Sequence, residues 1–226
     1  MHSGPNLNSS VRSLNEKAPG TFQHTLQVAN LAEEATRAVG GNVLLVRAGA
    51  LYHDIGKMEH PGYFTENQHG VNPHDELTEE VSARIIIDHV LIGIEMAKKA
   101  KLPEEIIDFI RTHHGTTRTE YFYRNAVKKY GEEQVNQDDF RYPGPKPYSK
   151  ETAILMMADG VEAASRSLGD YTEDRITNLI DGIVNHLMKM EQFDNASITL
   201  QEISIIKDIF KQKLMNIYHS RVAYPD

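Results

Sequence analysis

The chain has 226 residues, 40% apolar and 25% charged, with 11 histidines, no cysteine, no tryptophan and a formal net charge of −8. That length and usage describe one globular domain that can bury its own core, and exclude a disordered or low-complexity chain. Without cysteine there is no disulfide, thiolate nucleophile or sulfur-ligated zinc or iron–sulfur cluster, so any metal must be held by imidazole and carboxylate. The acidic balance argues against a nucleic-acid polymer as partner, but not against a small phosphorylated substrate whose charge bound cations offset.

Residues 1–6 read as a flexible tail, native or left from cloning, and residues 7–226 as the one domain. The start, MHSGPNLNSS, has neither the basic region nor the apolar core of a signal peptide. No stretch approaches the ~18–20 apolar residues of a membrane span, the longest uninterrupted run being Ala153 to Ala158. The fragment therefore reads as soluble, non-secreted and without membrane contact.

The spacing predicts helices almost throughout. Pro19-Gly20-Thr21 opens the first, to about Val39, with His24, Val28, Leu31, Ala35 and Ala38 on one face. A second runs from about Asn42 to His53, and a longer one from about Thr78 to Lys101, with a possible break near Ser82. Pro103 opens another, which Gly115 ends after His113-His114. Further helices are expected at Arg118 to Tyr130 and at about 149–168, 172–191 and 199–221. No sheet and no repeat are expected. Gly56 to Leu77 and Gly131 to Lys150 break the pattern with glycine and proline, and read either as substrate-covering loops or as surface excursions.

Ionisable residues stand where core residues belong. His24 lies in its helix's apolar stripe, and His53-Asp54 is surrounded by Leu51, Tyr52 and Ile55. His89 has Ile85 and Ile86 a turn before it and Ile92 a turn after; His113 and His114 follow Ile106, Ile107, Phe109 and Ile110. Asp159 interrupts AILMMADGVEAA. A buried unpaired carboxylate costs several kcal/mol, on the order of a lost charge partner, so it must neutralise, pair or bind a cation. Few cations share these faces. Imidazole and carboxylate together suit divalent Fe, Mn, Zn or Ni, and so many ligands exceed one catalytic site and fit two. Two metals ~3.5–4 Å apart activate water and clamp a phosphoryl group, which points to metal-assisted phosphate-ester hydrolysis. Neither GxxxxGK[ST] nor GxGxxG occurs, and Ser9-Ser10, Ser165 and Ser167 have no evident base beside them.

The combination His24, His53-Asp54 within HDIGK, and Asp159 resembles the HD superfamily of phosphohydrolases. His89 and the His113-His114 pair resemble its two-metal branch. The stretches EKAPGTFQHTLQVANLAE, VRAGALYHDIGK, YFTENQHGVNPHDELT, HHGTT, RYPGPKPYSKETAILMMADGVEAASRS and IYHSRVAYP resemble the cytoplasmic HD domain of PgpH-type seven-transmembrane proteins, over nearly everything from residue 7. The rival HD-GYP branch carries a GYP loop after its later histidines; here Gly115-Thr116 follows them, which weighs against cyclic di-GMP.

The resemblance implies an all-α HD bundle with two long loops over a central metal site. It implies a phosphodiesterase that hydrolyses cyclic di-AMP to linear pApA with two divalent ions, Fe or Mn, and a hydroxide between them. The parent protein would sit in the cell membrane with this domain in the cytoplasm. Carried over, His24, His53, Asp54 and Asp159 hold one metal; Asp54 bridges to a second held by His89, His113 and His114. Asp54 and Lys57 are then the catalytic residues, Lys57 meeting the non-bridging phosphate oxygens. Lys57, Tyr63, Asn67, Asn72, Arg141 and Tyr142 are candidate substrate contacts, the loop aromatics and amides otherwise packing the loops; Phe64 shares that choice. His60, His69 and His74 read as non-ligands, and His2, His186 and His219 have no evident partners. The alternatives are an HD nucleotide phosphatase, a diesterase for another cyclic dinucleotide, and a non-catalytic nucleotide-sensing domain.

Overall fold

The computed structural model describes residues 7–219, and these form an all-α bundle. The helices are α1 (Leu7–Lys17), α2 (Pro19–Ala38), α3 (Val43–Tyr52), α4 (Glu79–Lys99), α5 (Glu104–Thr112), α6 (Glu120–Tyr130), α7 (Lys150–Ser165), α8 (Glu173–Lys189) and α9 (Leu200–His219). The expected tail, residues 1–6, and residues 220–226 lie outside the described residues.

Local chemistry sets several of the helix ends. Asn42 accepts from Leu45 N to start α3, Thr78 accepts from Val81 N to start α4, and Ser149 with Thr152 forms a reciprocal capping pair on α7. In α4, Glu79 and Glu80 begin the helix and Lys98 and Lys99 end it, matching its macrodipole. Helix α2 lacks a cap of its own, because Ala18 precedes it. Asn67 supplies the cap from the following loop: its Oδ1 accepts from Thr21 N at 3.1 Å, and its Nδ2 donates to Thr21 Oγ1 at 2.8 Å.

Helix α7 is the centre of the bundle. It is apolar nearly all round, and such a helix is stable only when covered on every side. Ala153 through Ala158 are 3% exposed or less. Helices α2, α3, α8 and α9 pack around it in one core that includes Val28, Val46, Ile154, Ile180 and Phe210. A second core joins α1, α3 and α5 to the end of α4 through Leu14, Tyr52, Ala97 and Ile107.

The structure differs from the sequence reading at several points. Helix α1 was not expected; its short LNSSVRSLNEK stripe buries Leu14 against α2 and the turn after α3. Helix α4 runs unbroken through Ser82, which is buried. Ala38 is exposed, since α2 ends there and its last turn overhangs the core. The segment after His53-Asp54 is wound into short 3₁₀ turns at Ile55–Met58, Pro61–Tyr63, Thr65–Asn67 and Pro73–Glu76. The later excursion has two more, Glu132–Gln134 and Gln137–Phe140, and one isolated antiparallel bridge between Arg118 and Arg141. Among the described residues no helix is long and apolar enough to cross a membrane.

Candidate metal centre

The doublet His53-Asp54 leaves the end of α3 and turns straight into the first 3₁₀ turn. That turn presses on α4 because Gly56 has no side chain: a Cβ there would stand 1.9 Å from His89 O and 2.7 Å from Gly93 N. This close approach brings Asp54 to His89. Gly49 does the same for α3 against α5, where a Cβ would meet the Phe109 ring at 2.2 Å.

Three histidines are oriented by backbone. The Nδ1–H groups of His53, His89 and His113 donate to Ala50 O at 2.6 Å, Ile86 O at 2.5 Å and Ile110 O at 2.8 Å. His53 and His113 follow helix ends, where such carbonyls lack helical partners. Each leaves Nε2 as the ligand atom, the arrangement in which a second partner fixes a ligating imidazole. His24 is oriented by Glu162, which binds its Nδ1 and in turn accepts from Arg166 Nε and Nη2 at 3.0 and 2.9 Å.

These imidazoles converge on one carboxylate. Asp54 Oδ2 lies 3.3 Å from His53 Nε2 and 3.5 Å from His24 Nε2; Oδ1 lies 3.3 Å from His89 Nε2 and 3.5 Å from His113 Nε2. Asp159 closes the first side, its Oδ1 accepting from His24 Nε2 at 2.9 Å. His114 completes the second, with Nδ1 3.9 Å from Asp159 Oδ2. The ligand atoms of His24, His53, Asp54 and Asp159 lie within 4.8 Å of one another, and so do those of His89, His113 and His114. All are buried except His114, whose side chain is 24% exposed, so it alone does not stand in the core as its spacing predicts.

The polar accounting asks for a cation. His53 Nε2 and both Asp54 oxygens are fully buried and make no hydrogen bond. Lys57 Nζ lies 2.7 Å from Asp54 Oδ2, as an ion pair off the hydrogen-bonding direction. Buried groups of this kind are otherwise satisfied. The nitrogen–oxygen donor set fits a divalent transition metal, and the residues present fit the group.

Charge divides the two sides. Burial works against the cation on His24, yet the bonds to Asp159 and Glu162 prevail and raise its pKa. His53 is pushed up to about 10, because Asp54 and Asp159 outweigh its burial. Burial likewise opposes ionisation of Asp54 and Asp159, but Lys57 and His53 hold the first, and His24 and His53 the second, well below the usual carboxylate range. On the other side burial dominates and lowers His113 and His114, which favours their neutral form.

Lys57 sits between two carboxylates, with Glu66 Oε1 at 3.0 Å, and its ammonium lies over the Phe64 ring. Glu66 and Glu162 escaped the sequence reading. Glu162 had a signal: it follows Asp159 by three residues and interrupts the same apolar helix. Glu66 had none, since it lies in a polar loop.

The candidate substrate contacts separate. Tyr63, Asn72 and Tyr142 line a cavity of about 410 Å³ with Phe64, Glu66 and Phe122. Tyr142 also stacks on His114, ring centroids 4.2 Å apart, joining this aromatic cavity to the metal cluster. Asn72 Oδ1 is used within the loop, accepting from His74 N. Asn67 and Arg141 are engaged elsewhere: Asn67 caps α2, and Arg141 donates to Thr116 O at 3.2 Å and Gln137 Oε1 at 3.0 Å. Among the other histidines, His74 donates from Nε2 to Tyr63 O, and His60, His69 and His186 are exposed. His2 and the side chain of His219 lie outside the described residues.

The HD domain family model matches residues 21–164. The chain is 49% identical to the cyclic-di-AMP phosphodiesterase PgpH of Listeria monocytogenes over 93% of its own length and 29% of that protein. It is 43% identical to the Bacillus subtilis protein of the same name, over 96% of its length and 30% of the relative. The chain thus spans about three tenths of the length of these curated relatives. The crystal structure of the L. monocytogenes PgpH HD domain in complex with cyclic-di-AMP superposes with a TM-score of 0.90 at 46% identity, covering 96% of this chain and all of that one.

Proposed function

The chain belongs to the HD-domain family, among the PgpH-type HD domains, and on that premise we propose that it is a metal-dependent phosphodiesterase opening cyclic di-AMP to linear pApA. One observation carries the two-metal form of this reading: Asp54 turns one oxygen to each histidine cluster. A carboxylate so placed would offer one oxygen to a cation on each side. His24, His53, Asp54 and Asp159 would hold one, and Asp54, His89, His113 and His114 the other. Bound there, two divalent ions supply Lewis-acid activation of water and neutralise the phosphoryl oxygens. Iron and manganese match the donor set.

The chain's own groups do the rest. Lys57 is held rigid by Asp54 and Glu66, with its side chain 12% exposed. It meets a non-bridging oxygen of the scissile phosphate and offsets the charge that develops there. Tyr142 and His114 form a continuous stacked edge from the cluster into the aromatic cavity, which takes an adenine. Base–aromatic stacking there contributes about 1–3 kcal/mol. Water adds to phosphorus, the P–O3′ bond breaks, and the ring opens to a dinucleotide with a free 3′-hydroxyl and a 5′-phosphate. The membrane-anchored parent, with this domain in the cytoplasm, rests on the resemblance to seven-transmembrane PgpH-type proteins.

The test is hydrolysis by protein loaded with Mn²⁺ or Fe²⁺, across cyclic di-AMP, cyclic di-GMP and dNTPs, with products identified. Preferential conversion of cyclic di-AMP to pApA is expected. Preference for cyclic di-GMP or dNTPs, or tight binding of cyclic di-AMP without cleavage, overturns the reading.

A further inference from the structure

His114 differs from its four partners. Among the described residues no ring hydrogen bond orients it, whereas His53, His89 and His113 bond backbone carbonyls and His24 bonds Glu162. Its ring is placed by its backbone and by packing against His113, ring centroids 4.0 Å apart, and Tyr142, at 4.2 Å. The backbone that follows it is tied locally, Gly115 N donating to Thr112 O and Thr117 N and Oγ1 to His114 O, and it is also held from outside.

Two distant segments hold it. From one side, Arg141 Nη1 donates to Thr116 O and Tyr142 N donates to Thr117 O at 2.9 Å. From the other comes Gln192, in the connection between α8 and α9, 76 residues away in sequence and 1% exposed. Its Oε1 accepts from Thr116 N at 2.9 Å, and its Nε2 donates to Thr116 Oγ1 at 3.0 Å and to Met190 O at 2.9 Å. The turn is shaped around this amide. Gly115 has φ +51, and a Cβ there would stand 2.2 Å from Gln192 Oε1. The end of α8 is shaped for it too: Glu191 takes a left-handed φ of 56, and Gln192 N returns to Leu187 O at 3.0 Å. A fully satisfied buried amide specifies one arrangement of the groups it joins.

We infer that Gln192 is a positioning residue for the second metal: it clamps Thr116, and so sets the direction from which His114 offers its ring nitrogen. This rests on the reading of His114 as a ligand. Among the described residues Gln192 hydrogen-bonds no ligand atom and does not line the aromatic cavity, so its route to the site is the turn.

The experiment is a titration of the intact metal-free protein with Mn²⁺ alone, resolving two binding steps, beside ring ¹⁵N NMR of its histidines. Gln192→Leu is expected to weaken the second step about 10- to 100-fold, leave the first unchanged, and shift the His114 ring signals while those of His24 and His53 stay. In turnover, kcat falls and KM for cyclic di-AMP holds. Thr116→Val removes the Oγ1 half of the clasp and keeps the backbone half, so it gives a smaller loss with the same selectivity, and serves where Gln192→Leu does not fold. His114→Ala separates the two ideas. If it leaves both steps intact, the ligand reading fails and the inference with it. If it weakens the second step while Gln192→Leu and Thr116→Val leave it unchanged, or weaken both steps equally, the inference alone is wrong.

Discussion

The two halves of helix α7 bury opposite kinds of surface. Its first half packs Ile154, Leu155 and Met157 against a dry core with Ile180, Ile206 and Phe210 from α8 and α9. Further along, Asp159 and Glu162 are buried too, at 7% and 6% exposure, but against imidazole. The dry region gains stability simply by excluding water, roughly 25 cal/mol per Å² of apolar surface. The polar region cannot: it concentrates buried carboxylate and imidazole atoms, some without partners, that cost free energy until a cation joins them. Folding is carried by one region and chemistry by the other, and both depend on the same rigid helix.

Three substitutions test that division. The largest effect belongs to Asp54→Ala. We expect turnover to fall on the order of 10³-fold or more, because both clusters lose their shared ligand. The metal-free variant should still fold but melt below the parent, because the buried ion pair with Lys57 is lost. Full activity would break the two-metal reading; a collapsed metal-free fold would show that Asp54 carries more stability than that one ion pair.

Phe210→Ala comes next, and acts the other way. Phe210 is fully buried in the dry core. Its truncation should cost about 3–5 kcal/mol, a fall in Tm on the order of 10 °C for a domain of this size. Mn²⁺ stoichiometry of the protein still folded should be unchanged. Selective loss of one ion instead would mean that the two regions are more tightly coupled than their packing indicates.

Glu162→Gln has the smallest effect and the sharpest meaning. It keeps shape but removes the charge that orients His24 and receives Arg166. Affinity for the ion beside His24 should drop about 10- to 100-fold, with little change in Tm. Thermal melts and Mn²⁺ titration read both quantities. A large Tm loss with normal affinity would move Glu162 into the structural column.

The helices were legible in the sequence wherever an apolar stripe of period 3.6 ran long enough, as in α2, α4 and α7. Helix α1 was missed because its eleven residues carry too few apolar positions to stand out. His24, His53, Asp54, His89, His113 and Asp159 were legible for the opposite reason, as polar residues breaking apolar faces. The loop residues were not. Asn67 caps α2, and Arg141 holds the turn after His114, roles that their loop positions do not announce. A loop amide or guanidinium has no periodicity to say which way it points.

Composition and periodicity alone determined the all-α class, the nitrogen–oxygen character of any metal site, and the set of side chains that had to meet. Those properties are local: each follows from residue type and spacing along one helix. Tertiary structure decided which carboxylate stands between the clusters, and which groups steer the ligands. Glu162 reaches His24 across 138 residues, and Gln192 reaches Thr116 across 76. Hydrogen bonds over such separations impose no pattern on neighbouring residues, so they exist only once packing has brought the helices together.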